Sequence, residues 1–172
     1  MLTTDQKGAI AEMAIAWHAT KLGVAVYRPV AEGGRCDLVF DFQARLCRVQ
    51  CKWASRYDDV IIVRCYSARR AREGLRRRLY TADEIDAFAA YCAEFDRCFF
   101  LPFELFRGKA SIQLRLAPTR NNQRLGVNWA DEYDFAAKLG RHQGAIAQLG
   151  ERLDGIQKVA GSSPAGSTFE AV

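Results

Sequence analysis

Apolar and polar residues alternate twice in close succession between Arg35 and Trp53. The first run is Arg35-Cys36-Asp37-Leu38-Val39-Phe40-Asp41 and the second is Arg48-Val49-Gln50-Cys51-Lys52-Trp53. A period of two is that of a strand with one buried face, and the short polar interruption suits a hairpin turn, so two adjacent antiparallel strands are predicted. On the first strand Cys36, Leu38 and Phe40 oppose Asp37 and Val39, and on the second Val49, Cys51 and Trp53 oppose Arg48, Gln50 and Lys52. The apolar sides demand a core, which leaves Asp37, Gln50 and Lys52 to converge on an exposed edge of the hairpin.

The pattern elsewhere builds a sheet around this pair. Residues 5–22 read as a helix capped by Thr4 or Asp5 and ended by Gly23, with Ile10, Met13, Ala14 and Trp17 as its buried stripe and Glu12 off that stripe. Val24–Val30 reads as a short strand whose Pro29 places its end at an edge, and Glu32-Gly33-Gly34 as the turn that delivers the chain to Asp37. Val60–Tyr66 is apolar on both faces and suits a central strand. Thr81-Ala82-Asp83-Glu84 has the form of a capping box, predicting a helix to about Glu94 that buries Ile85, Phe88, Ala89 and Cys92. Strands are predicted over Cys98–Pro102 and Ala110–Leu116, joined as a hairpin through Arg107-Gly108-Lys109. Helix, strands and further helix around antiparallel pairs give an α/β fold with a mixed sheet.

Length and composition narrow the class. The chain has 172 residues, enough for one domain with a proper core. No apolar run approaches the roughly 18 residues of a membrane span and the N-terminus lacks a secretory pattern, so a cytoplasmic protein with no membrane partner is expected. Six cysteines without a C-x-x-C pair, beside only His18 and His142, read as buried reduced thiols rather than a zinc site.

Charge is where the composition becomes informative. The net charge is +5, yet Arg64, Arg69, Arg70, Arg72, Arg76, Arg77 and Arg78 face a single acid, Glu73, within fifteen residues. That local excess of six surpasses the excess of the whole chain and is the footprint of a phosphate-rich partner. The segment Ser67–Tyr80 has no helical apolar stripe and reads as a basic arm, partly ordered only on binding, with Arg69, Arg70, Arg72, Arg76, Arg77 and Arg78 as DNA contacts. Arg35, beside the glycine turn, is a further phosphate contact candidate.

The hairpin carries the chemistry. A carboxylate and a side-chain carbonyl are hard oxygen ligands for Mg2+, and a lysine beside them can position a water and offset charge gathering on a phosphate. Phosphodiester hydrolysis is the reaction such a set suits.

At these residues the chain resembles the PD-(D/E)XK nuclease superfamily, marked by an acid on one strand and an acid-x-lysine on the next. Asp37 is the first acid, and Gln50-Cys51-Lys52 stands for the second element with glutamine in the place of the acid. With Glu12 on a preceding helix, the Q-x-K form is most similar to the homing endonucleases encoded in bacterial group I introns, over roughly residues 5–135. The resemblance implies a restriction-endonuclease-like mixed β-sheet core flanked by helices over residues 1–140. It also implies Mg2+, with Mn2+ able to substitute, held by Glu12, Asp37, Gln50 and the carbonyl of Cys51, while Lys52 orients the attacking water. Double-stranded DNA is then the substrate, and cutting both strands calls for a homo-oligomer, a dimer or a tetramer. Thr119 to Arg124 resembles a segment near the end of the same branch, which makes Arg120, Asn121 and Asn122 candidate DNA contacts. A restriction or repair nuclease or a Holliday-junction resolvase on the same core stays open, as does a DNA-binding protein whose metal site has decayed at Gln50.

Residues 141–172 change character. Ala147 to Arg152 and Gly161 to Pro164 resemble a bacterial transfer RNA gene translated in one frame, and their Gly, Ser and Pro content predicts a disordered tail.

Overall fold

The computed structural model describes residues 1–31, 33–118 and 125–140. The predicted hairpin is present and forms the centre of the sheet. Strand β2 (Leu38–Asp41) runs antiparallel to β3 (Leu46–Tyr57) with Leu38 opposite Val49 and Phe40 opposite Cys47. Strand β3 is twelve residues long and serves two sets of partners. Its first half pairs with β2 on one side and, from Val49 to Trp53, in parallel with β7 (Ala87–Cys92) on the other. Its second half, from Ala54 to Tyr57, pairs with β4 (Val60–Arg64). Strands β1 (Ala25–Tyr27), β8 (Arg97–Pro102) and β9 (Ser111–Arg115) extend the sheet beside β2, β7 and β4 respectively, for seven mixed strands among the described residues.

Two cores follow from this arrangement. Helix α1 (Thr4–Lys21) covers one face, where Ala11, Ile15 and Ala19 meet Leu38, Phe40, Val49, Ala87 and Phe100. On the other face Ile61, Val63, Phe88, Phe99, Leu101, Ile112 and Leu114 pack with Phe103, Phe106 and Tyr80. Each fully buried large side chain of this kind contributes about 1.5–3 kcal/mol of transfer free energy.

Several expectations are corrected. The cap of α1 is Thr3, whose hydroxyl accepts from the Gln6 N–H while the Gln6 side chain accepts from the Thr3 N–H. The buried stripe lies on Ala11, Ile15 and Ala19, while Met13 and Trp17 are more than half exposed. Small side chains let the helix axis approach the sheet, and Trp17 instead stacks under Lys21, 4.6 Å from its ring centre. The helix expected after Thr81 is strand β7. The Thr81–Glu84 turn does close, with the Thr81 N–H donating to the Glu84 carboxylate at 3.2 Å, but the chain then enters the sheet parallel to β3. Its residues alternate between the two cores, so all are apolar, and Ile85, Phe88, Ala89 and Cys92 match helical spacing by coincidence. Strands β8 and β9 do not form a hairpin: β8 pairs with β7 and β9 with β4, with a 3-10 turn over Phe103–Phe106 between them. The strand predicted over Val24–Val30 is confined to Ala25–Tyr27.

The basic segment is not a loop. Strands β5 (Tyr66–Ala71) and β6 (Gly74–Leu79) form a separate two-stranded antiparallel ribbon with Arg69 opposite Arg76. Gly74 supplies the turn with φ of +119°, a region closed to L side chains. Every residue of β6 is exposed, which is why no apolar stripe marked it.

Candidate active site

The site sits where the sheet divides. Strand β2 leaves β3 at Val49 and β4 joins it at Ala54, so residues 50–53 have β7 on one side and no antiparallel partner on the other. Asp37 closes that gap. Its own N–H donates to the Val49 carbonyl at 2.9 Å, and its carboxylate accepts from the Cys51 N–H at 2.8 Å and from the Gln50 amide. A backbone donor that the sheet leaves open is therefore satisfied by the acid itself.

Gln50 is only 8% exposed, the one buried polar residue among those described. Its amide nitrogen has two acceptors, the Asp37 carboxylate and the Cys51 carbonyl at 3.3 Å, which fixes the orientation of the amide. The oxygen Oε1 has no donor among the described residues and remains free to act as a ligand. Glu12, on α1, pairs with Arg28 at 2.7 Å, and its carboxyl is raised above the ordinary range by burial and by the neighbouring charge of Asp37, against the pull of Arg28. Glu12, Arg28, Gly33, Gly34, Cys36 and Asp37 line one cleft of about 290 Å3.

Lys52 lies on the same face of β3 as Gln50, the face turned away from α1. Its ammonium donates to the Tyr80 hydroxyl at 2.9 Å and the Tyr66 carbonyl at 3.3 Å, and lies 4.7 Å from the centre of the Tyr80 ring. Burial lowers its pKa, and the Asp37 charge works against that. Asp37 itself is raised by burial, with the Cys51 N–H, Lys52 and Gln50 opposing. The Cys51 thiol is pushed well above its usual value by burial, with Asp37 and Glu12 adding, so this residue offers its carbonyl rather than a thiolate. The four residues expected together thus share one neighbourhood, and the expected exposed edge is a largely buried one. Both faces of β3 are covered, so alternation correctly separated Gln50 and Lys52 from the α1 core without telling that their own side was closed.

The donor set suits a hard divalent cation. Two carboxylates, one of them Glu12 raised by the charge of Asp37, an amide oxygen and a backbone carbonyl could serve as oxygen ligands, and no cluster of three or more His, Cys, Asp or Glu ligands occurs among the described residues. That pattern fits an ion that keeps several waters.

The other predicted contacts divide. Arg35 is turned inward: Nη1 donates to the Ser67 hydroxyl at 2.9 Å and Nη2 to the Leu79 carbonyl at 3.1 Å, the buried Nε pairs by charge with the Glu84 carboxylate 3.1 Å away without a hydrogen bond to it, and the guanidinium stacks 3.9 Å from the Tyr80 ring centre. It anchors the base of the β5–β6 ribbon to the approach of β2 instead of facing outward. Arg72, Arg76, Arg77 and Arg78 lie on the exposed ribbon, Arg76 beside Glu73, Arg77 over the Tyr66 ring and Arg78 beside Glu84. Arg69 and Arg70 are in β5 by their backbone, while Arg120, Asn121, Asn122 and the tail of residues 141–172 lie outside the described residues. Sequence reasoning missed Tyr80, Arg28 and Glu84 as parts of the site. Only the nearness of Glu84 to Thr81 left a trace, and it was read as a helix cap.

A family model for PD-(D/E)XK endonucleases matches residues 2–136. Among solved structures, that of I-Ssp6803I, a bacterial homing endonuclease, superposes with a TM-score of 0.66 at 28% identity, covering 86% of this chain and 99% of that one. No curated protein matches the chain. The mixed sheet with its flanking helix has the restriction-endonuclease-like form.

Proposed function

The chain belongs to the PD-(D/E)XK endonuclease family, and from that we propose that it is a Mg2+-dependent enzyme of the homing type, hydrolysing both strands of DNA at a sequence it recognises. The observation that carries this reading is the convergence of Asp37, Gln50 and Lys52 on the open edge of β3, with Glu12 across the cleft. Likeness to a bacterial homing endonuclease over most of the chain supports homing above restriction, repair or junction resolution. An intron-borne gene, a cytoplasmic setting and a dimer or tetramer belong to the same proposal. The oligomer rests on the need to reach two strands with one site per subunit.

Glu12, Asp37, Gln50 Oε1 and the Cys51 carbonyl would hold the ion. When bound, a divalent cation supplies charge stabilisation at the phosphate and a more acidic water. The protein's own part is positional. The Asp37 carboxylate is fixed by the Cys51 N–H and the Gln50 amide, so its geometry is set before substrate arrives. Two N–H groups of Lys52 are taken by Tyr80 and Tyr66, which leaves the third to hold the attacking water or a phosphate oxygen. Attack by water oxygen at phosphorus breaks the bond to the departing sugar oxygen, and the charge that builds on the phosphate is met by the Lys52 ammonium.

Purified protein incubated with Mg2+ and supercoiled DNA bearing the genomic sequence around its gene is expected to nick and then linearise that DNA, while Lys52→Ala leaves it intact. Binding that weakens with salt but never produces a nick would instead favour a DNA-binding protein with an inert centre.

A further inference from the structure

A second cleft opens on the other side of the fork, and its chemistry is opposite to the first. It has a volume of about 460 Å3 and is lined by Thr4, Lys7, Lys52, Ser55, Tyr57 and Arg64 together with the backbone of β3. Two cations, Lys7 and Arg64, and three hydroxyl side chains line it with no acid among them, whereas the neighbouring cleft is lined by Glu12 and Asp37. The two share a wall: Asp37 lines the acidic cleft, Cys51 and Lys52 line the basic one, and the hydrogen bond from the Cys51 N–H to the Asp37 carboxylate joins them.

Neither Lys7 nor Arg64 makes an ion pair among the described residues. Lys7 instead lies 5.6 Å from the centre of the Trp53 ring, and Arg64 at the end of β4 is exposed. Cations left without counter-charge around a cleft are costly to assemble and are relieved by an anion. The shared wall sets the two clefts side by side at β3, so one nucleic acid strand can reach both.

We propose that Lys7 and Arg64, with the Ser55 and Tyr57 hydroxyls, form a binding site for the backbone phosphate that neighbours the scissile one on the cleaved strand. This rests on the nuclease reading and extends it: the strand enters the fork of β3 with one phosphate at the Asp37 centre and the adjacent one in the basic cleft. Lys7 and Arg64 are positioning residues, since they hold the strand and touch no reacting atom.

The test is the salt dependence of binding to a short duplex DNA, followed by fluorescence anisotropy in Ca2+, for the wild type, for Lys7→Gln/Arg64→Gln and for Lys138→Gln as a cation far from the fork. A lost phosphate contact is expected to make the slope of log affinity against log salt shallower by about 0.9, which is the change expected of the double variant, and Lys138→Gln does not change it. Replacing single phosphates by neutral methylphosphonates in the cleaved duplex gives a second readout. Neutralising the phosphate next to the cut is expected to weaken wild-type binding and leave the double variant unaffected. A wild-type slope retained by the double variant overturns the subsite while leaving the nuclease reading intact. A wild type that cleaves nothing but shows the slope change overturns the nuclease reading and leaves an anion site.

Discussion

The fork of β3 and the β5–β6 ribbon both concentrate charge, and they hold it in contrasting ways. At the fork, Asp37, Gln50 and Lys52 are largely buried and each is fixed by hydrogen bonds to the backbone or to a neighbour. On the ribbon, the side chains from Arg72 to Arg78 stand in solvent, Arg76 and Arg78 beside Glu73 and Glu84 and Arg77 over the Tyr66 ring. Desolvated, fixed groups suit chemistry because their field is strong and needs no reorganisation. Solvated arginines suit attraction, because they contribute affinity through counterion release at almost no cost to folding. Arg35 joins the two regions: it ties Ser67 and Leu79 of the ribbon to Glu84 and stacks on the Tyr80 ring whose hydroxyl holds Lys52.

That contrast can be broken most sharply at Asp37. Asp37→Asn is expected to reduce cleavage by about a thousandfold or more, because it removes the charge that the fork is built to hold. Stability at neutral pH is expected to hold or rise. A carboxyl raised by burial contributes stability that is present below the ordinary carboxylate range and lost as pH rises through the raised value, so the neutral amide escapes that loss. Cleavage kinetics and a thermal melt on the same sample separate the two effects.

Arg35→Met comes next in size. Losing its bonds to Ser67 and Leu79 and its ion pair with Glu84 is expected to cost about 2 kcal/mol in urea unfolding, and cleavage falls with it as Tyr80 is released. The smallest effect on the fold is expected from Arg72→Gln/Arg76→Gln/Arg77→Gln. Stability should change by no more than about 0.5 kcal/mol, while the salt slope of DNA binding becomes shallower by up to about 0.9 per arginine. A triple variant that loses cleavage at saturating DNA would show that the ribbon takes part in the chemistry after all.

Local alternation made the hairpin legible, because Leu38, Phe40, Cys47 and Val49 do turn to one core. The same rule failed at β7, where both faces are covered and Ala87, Phe88, Ala89 and Ala90 are all buried. It failed on α1 for a different reason: bulk marked Met13 and Trp17 as core, whereas close approach to the sheet demands Ala11 and Ala19. Strand alternation singled out Asp37, Gln50 and Lys52 and the resemblance added Glu12, and the fold brings the four into one neighbourhood. Tyr80 and Arg28 were not, since each meets the site only through the tertiary fold: Tyr80 lies 28 residues from Lys52, and Arg28 lies 16 from Glu12. The ribbon was legible as charge but not as structure, since β6 is exposed on both faces and carries no apolar period.

The central claim is that Glu12, Asp37 and Gln50 form one oxygen-ligand site for a divalent ion, and calorimetric titration of Mg2+ and Mn2+ into the metal-free protein tests it most directly. Binding is expected in the wild type and lost in Asp37→Asn. It should be tighter at about pH 8 than at about pH 5, because Glu12 and Asp37 keep their protons above the ordinary carboxylate range and must release them to bind. Equal heats for the wild type and Asp37→Asn, or no binding at either pH, would contradict it.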